Sequence, residues 1–239
     1  MWAILTEPDK QGNRWKLDEF LGTGTAEVAS VMAYLAQTVG NVRRSTALDF
    51  GCGVGRLTQA LAAHFENVTG VDISAAMIDR AVALNRHPDR CRYVVNTVAD
   101  LRTFADGTFD FVYSNITLQH IAPRYSRAYI REFVRVAAPG GVILFQLPSE
   151  RVPVRVERRG VARVKATIRD RTPEAVVNAY DDFKRWLSNE PTMEGHGIAR
   201  DEVVSVLLEA GARVADVQDD ASAGPLWVSH RYCAVRTGR

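Results

Sequence analysis

The chain has 239 residues, 46% hydrophobic and 24% charged, with a formal net charge of +2. That is ample apolar material for one large domain, and too even a balance for electrostatic attachment to nucleic acid or to an anionic membrane across the whole molecule. Three cysteines, Cys52, Cys91 and Cys233, show no Cys-x-x-Cys spacing, which argues against a disulfide framework or structural zinc and fits a cytoplasmic protein.

The elements follow in chain order. The apolar start Met1 to Leu5 is too short for a signal peptide, and no stretch approaches the roughly 18 apolar residues of a membrane span. Residues 1–26 read as polar and irregular, with Trp15 and Phe20 interspersed, and are expected to form a lid segment. Gly22-Thr23-Gly24-Thr25 reads as a breaker before an amphipathic helix over 26–39, with Val28, Val31, Met32 and Leu35 on one face.

A buried strand is predicted at 47–50, a helix at 56–65 and a second strand at 67–71. Ser74 is suited to cap a helix over 75–85. Further strands are predicted at 91–95, 109–114 and 142–147, with a helix over 124–136 before Pro139-Gly140-Gly141. Residues 148–195 break the rhythm and read as a cap insertion. A helix over 200–210 and strands at 213–217 and 228–235 close the chain. Alternating strands and helices predict an α/β fold: a doubly wound, mainly parallel sheet of seven strands with helices on both faces. Residues 45–147 would be its core, 196–239 a final helix and hairpin, and 1–239 a single domain.

The most informative stretch is Leu48-Asp49-Phe50-Gly51-Cys52-Gly53-Val54-Gly55-Arg56, followed by Asp72 after the second strand. Glycines allow positive φ and close approach of bare backbone to a ligand. A carboxylate about 20 residues further on suits the two hydroxyls of a ribose. In a dinucleotide fingerprint the third glycine comes three positions after the second, so that a helix N-terminus faces a pyrophosphate. Here Gly55 comes only two positions after Gly53. Asp49 would repel a phosphate but suit an ammonium or sulfonium, so an NAD-dependent enzyme is disfavoured.

On these residues the chain resembles the class I S-adenosylmethionine-dependent methyltransferases, whose first motif has this Asp-x-Gly-x-Gly-x-Gly form. The Pro139-Gly140-Gly141 turn and Asp106-Gly107-Thr108-Phe109-Asp110 resemble the family as well. The resemblance implies S-adenosyl-L-methionine as cofactor and S-adenosyl-L-homocysteine as product. It implies that Asp49, Phe50, Gly51, Cys52 and Gly53 meet the methionine part, that Asp72 holds the ribose, and that Ile73 and Met77 line the adenine, although Met77 reads equally as core.

The adenine edge should lie along Thr97, Val98 and Ala99. The chain departs from the family there, because Thr97 stands where an acid is usual and Asp100 comes three residues later; either could serve. Asn115 is the candidate contact after strand four. His120 reads either as a general base for a hydroxyl acceptor or as a structural histidine. The Asn/Asp-Pro-Pro-Tyr/Phe motif of enzymes that methylate planar amino groups is absent from 114–120. Adenine-N6 and cytosine-N4 chemistry are therefore disfavoured. With no recognisable nucleic-acid module or appended protein-recognition domain, the expected acceptor is a small molecule, through a hydroxyl oxygen, with no nucleic acid, membrane or metal involved. Two rivals remain. One is a methyltransferase acting on tRNA or protein, gripping it through the basic stretch 151–171; that stretch reads equally as a solvated face. The other is a non-catalytic S-adenosylmethionine-binding protein.

Overall fold

The structure, a computed structural model, describes residues 16–152 and 195–238. Seven strands form one sheet: β1 (Thr46–Phe50), β2 (Asn67–Asp72), β3 (Cys91–Val95), β4 (Phe109–Ser114), β5 (Ala137–Arg151), β6 (Ala212–Asp219) and β7 (Trp227–Arg236). Their order across the sheet is β3-β2-β1-β4-β5-β7-β6. The pairs from β3 through β5 are parallel; β7 runs antiparallel to both β5 and β6.

Successive strand residues point to opposite faces, and the central strands are apolar on both. Leu48, Val112 and Phe145 join one core with Phe133 of α4 (Pro123–Val136) and Leu207 of α5 (Arg200–Glu209). Ala47, Phe111 and Leu144 join another with Leu35 of α1 (Leu17–Thr38) and Leu61 of α2 (Arg56–Leu61). The doubly wound expectation thus holds. Strand order reverses at β1 and β4, and the crevice outside their carboxyl ends is where such sheets take ligands.

Two expectations fail. The Gly22-Thr23-Gly24-Thr25 stretch does not break the first helix: α1 runs through it from Leu17. Phe20, expected in a lid, is fully buried against Val54. Gly24 is kept by tertiary contact, since a Cβ there would come within 2.6 Å of the Arg56 carbonyl oxygen; close packing of α1 on α2 outweighs the glycine's poor helix propensity. Phe20, Gly24, Val28, Val31 and Leu35 form one buried stripe. Strand five is also longer than expected, because it takes in the Pro139-Gly140-Gly141 turn at a register shift between the Ala137 and Val142 pairings, and its far end continues through 148–151. Only 153–194 of the expected cap, with most of the basic stretch, and residues 1–15 lie outside the described residues. α3 (Ala75–Ala83) starts as predicted, with the Ser74 Oγ accepting from the Met77 N–H.

Candidate active site

The loops after β1, β2, β3 and β4 enclose a cleft of about 740 Å³. After β1 the chain turns sharply, with Gly51, Gly53 and Gly55 at φ of 78°, 52° and 82°. These are left-handed conformations that a side chain would strain. The turn is tied to the next strand: the N–H groups of Gly51 and Cys52 donate to the Val71 carbonyl at 2.8 and 3.0 Å. A Cβ on Gly51 would fall 2.2 Å from Thr117 Oγ1, so the turn also packs against the loop after β4.

At the tip of β2, the Asp72 carboxylate accepts the Gly53 N–H on one oxygen and the Ser74 N–H on the other, both at 2.9 Å. Each oxygen keeps a further lone pair. The carboxylate is thereby fixed in orientation at the rim, between the glycine turn and the start of α3.

Phe50, Gly51, Cys52, Gly53, Asp72, Ile73, Met77, Thr97, Val98, Ala99, Asn115 and His120 all line this cleft. Asp49 is the exception. It is 1% exposed and lies beneath the glycine turn, where Thr58 Oγ1 donates to its Oδ2 at 2.6 Å. Burial pushes its carboxyl up to about 7, against the Thr58 hydrogen bond and the charge of Arg56, which pull it down. After β3, Thr97 faces the cleft while Asp100 is engaged by Arg102. Asn96 shapes that loop by donating to the carbonyls of Val98 and Asp100 at 3.1 and 2.8 Å, and Tyr129 Oη donates to Val98 at 2.8 Å.

Several cleft residues escaped the sequence reading. Arg56 is 6% exposed and paired with Glu27 of α1 at 2.8 Å. Glu27 Oε1 also accepts from Tyr113 Oη and Asn115 Nδ2, both at 2.8 Å. The available signal was an arginine placed directly after the glycine turn, at the first position of α2. Tyr125, Tyr129, Ile116 and Ile121 complete the far wall, and nothing in their spacing distinguishes them from ordinary packing. His196 and His230 do not line the cleft; His230 Nδ1 lies 3.2 Å from Asp219.

Residues 48–145 match the family described as "Methyltransferase domain". The chain is 28% identical over 168 residues to 2-methyl-6-phytyl-1,4-hydroquinone methyltransferase of Synechocystis, covering 68% of this chain and 51% of that one. It is 36% identical over 104 residues to trans-aconitate 2-methyltransferase of Deinococcus radiodurans, covering 43% and 37%. The chain thus spans about half, or less, of the length of these relatives. Magnesium protoporphyrin IX methyltransferase from Synechocystis, solved with bound SAH, superimposes with a TM-score of 0.59 at 19% identity, over 93% of this chain and 88% of that one. That identity speaks for the fold. The sequence match falls on the segment that builds the glycine turn and the cleft, so residues 48–145 belong to this methyltransferase family, within a chain that has the fold of the SAH-bound enzyme.

Proposed function

We propose that the protein transfers a methyl group from S-adenosyl-L-methionine to a hydroxyl oxygen of a small-molecule acceptor. The observation that carries this reading is a single cleft holding the glycine turn and Asp72 together with His120. The residues suit the cofactor. Gly51 leaves bare backbone where a side chain would strike Thr117, and Asp72 is oriented by two N–H groups with lone pairs to spare for two ribose hydroxyls. Ile73, Met77, Val98 and Ala99 supply apolar walls for a flat base.

When bound, S-adenosyl-L-methionine supplies a methyl group already activated on a sulfonium. What remains for the protein is alignment, exclusion of water and disposal of a proton. Tyr125, Tyr129 and Ile121 shield the far wall. His120 is the imidazole within reach of an acceptor there, and it takes the hydroxyl proton as the oxygen is methylated. The hydroquinone and aconitate in the relatives' names support a small acceptor. Residues 1–239 act as one domain in this reading, with 148–195 contributing to acceptor choice.

The test begins with calorimetric titration of S-adenosyl-L-methionine, S-adenosyl-L-homocysteine and NAD, followed by labelled-methyl transfer to panels of hydroxylated and aminated small molecules, tRNA and protein. Micromolar binding of the two sulfur nucleosides but not NAD is expected, with label on a small-molecule oxygen. His120→Asn should lower kcat by roughly 10²- to 10⁴-fold. Label found only on tRNA, protein, nitrogen or carbon overturns the acceptor assignment. Failure to bind either nucleoside overturns the whole reading.

A further inference from the structure

Beneath the short 3₁₀ turn Leu118–His120, the Gln146 side chain of β5 is 2% exposed and every polar atom it has is used. Its Oε1 accepts the Ile116 N–H at 3.2 Å. Its Nε2 donates to Gln119 Oε1 at 3.2 Å and to Ser229 Oγ at 2.6 Å. A backbone N–H can only donate, so the Gln146 amide has one permitted orientation, oxygen towards Ile116 and nitrogen towards Gln119. Ile116 is held at φ 57°, and among the described residues no other non-glycine has a positive φ. A β-branched residue is rarely found there, at a cost of order 1–3 kcal/mol, and such strain concentrates at functional sites.

The orientation passes along the chain of amides. With Gln119 Oε1 taken by Gln146, the Gln119 Nε2 is the atom left facing His120 Nε2, at 3.2 Å. An amide nitrogen donates and never accepts. The imidazole nitrogen opposite it must therefore carry a lone pair, and a neutral ring then has its hydrogen on Nδ1.

We propose that Gln146 and Gln119 are positioning residues that lock His120 as the neutral Nδ1–H tautomer, with the lone pair kept at Nε2. The inference deepens the reading of this cleft as an active site, but its test needs neither cofactor nor acceptor. It also fixes the atom that receives a proton: Nε2 takes one only as the Gln119 hydrogen bond is given up.

The test is nitrogen-15 spectroscopy of the full chain labelled at histidine, at a pH where the rings are neutral, with His120→Asn identifying the His120 signals. Nε2 should resonate as an unprotonated nitrogen and Nδ1 as a protonated one. The opposite assignment in the unaltered protein overturns the proposal without recourse to any variant. Gln119→Glu replaces the donor with an acceptor and should move Nε2 to the protonated range; an unchanged spectrum in a folded Gln119→Glu protein also overturns it. Gln146→Met frees the Gln119 amide to turn over and should give Nε2 partial protonated character. No change there removes Gln146 from the lock.

Discussion

Glu27 of α1 lies 2.8 Å from the buried guanidinium of Arg56 at the start of α2, and its Oε1 also takes the Tyr113 hydroxyl and the Asn115 amide. One carboxylate thus joins the first helix to the glycine turn and to the end of β4. Removing one member of a buried ion pair leaves the other charge uncompensated, typically at about 3–5 kcal/mol. Glu27 is partly exposed, so Glu27→Ala should cost roughly 3 kcal/mol in denaturant melts. Glu27→Gln, which still accepts hydrogen bonds, should cost less. Equal losses would mean that the charge accounts for the whole effect and the accepted hydrogen bonds for none of it.

The helix contact at Gly24 gives a sharper steric test. A methyl group there meets the Arg56 carbonyl oxygen at 2.6 Å, and main chain cannot move aside cheaply. Gly24→Ala improves helix propensity by about 1 kcal/mol, yet should destabilise the protein by about 1–3 kcal/mol through overpacking. A thermal melt that rises instead of falling would show that α1 slides freely on α2.

That site also marks the limit of what the sequence discloses. Strands β1, β2 and β4 were legible because both faces are largely buried and the runs are mainly apolar and bounded by turn residues. The cleft was legible where backbone chemistry demands a residue type: glycine at positive φ, Ser74 capping α3, Asp72 at a strand tip. Gly24 misled, because a glycine required by a neighbouring helix looks locally like a breaker. The stripe of Phe20, Gly24, Val28, Val31 and Leu35 carried the right answer, and glycine in its middle concealed it. Glu27, Gln119 and Gln146 were invisible for another reason. Their partners are distant in sequence, and a lone polar residue announces no partner.

Asp49 should make stability depend on pH. In the unfolded chain its carboxyl ionises near 3.8, and in the folded protein near about 7. Between those values the folded protein holds a proton that the unfolded chain has released, so this contribution falls as pH rises and is fully lost above about 7. At about 1.4 kcal/mol per tenfold the loss is roughly 4 kcal/mol. Urea melts at about pH 4.5 and about pH 8 should show a decline that Asp49→Asn largely removes. A variant with the same decline as the parent would place the titration elsewhere.

Asp72→Ala should weaken S-adenosyl-L-methionine binding by one to two orders of magnitude, as two charge-assisted hydrogen bonds of roughly 1.5 kcal/mol or more are lost. S-adenosyl-L-homocysteine should lose as much, because the ribose is common to both. Calorimetry on both nucleosides decides: a loss confined to one would put Asp72 near the sulfur instead of the sugar.

The two ends of the stretch 153–194 emerge side by side. Ile198 donates to the Pro148 carbonyl at 2.9 Å, and Val152 to that of Leu226 at 2.9 Å. The Arg151 guanidinium sits 5.4 Å from the centre of the Trp227 ring, whose edge a Cβ on Gly195 would touch at 2.9 Å. Departure and return thus share one docking point, clasped by backbone hydrogen bonds and a single indole. The entropy of joining two chain ends held at such a point depends only weakly on the number of residues between them. Exchanging the stretch between at this docking point should therefore leave the register of the seven strands and the cofactor cleft as they are, while changing the acceptor choice proposed for it.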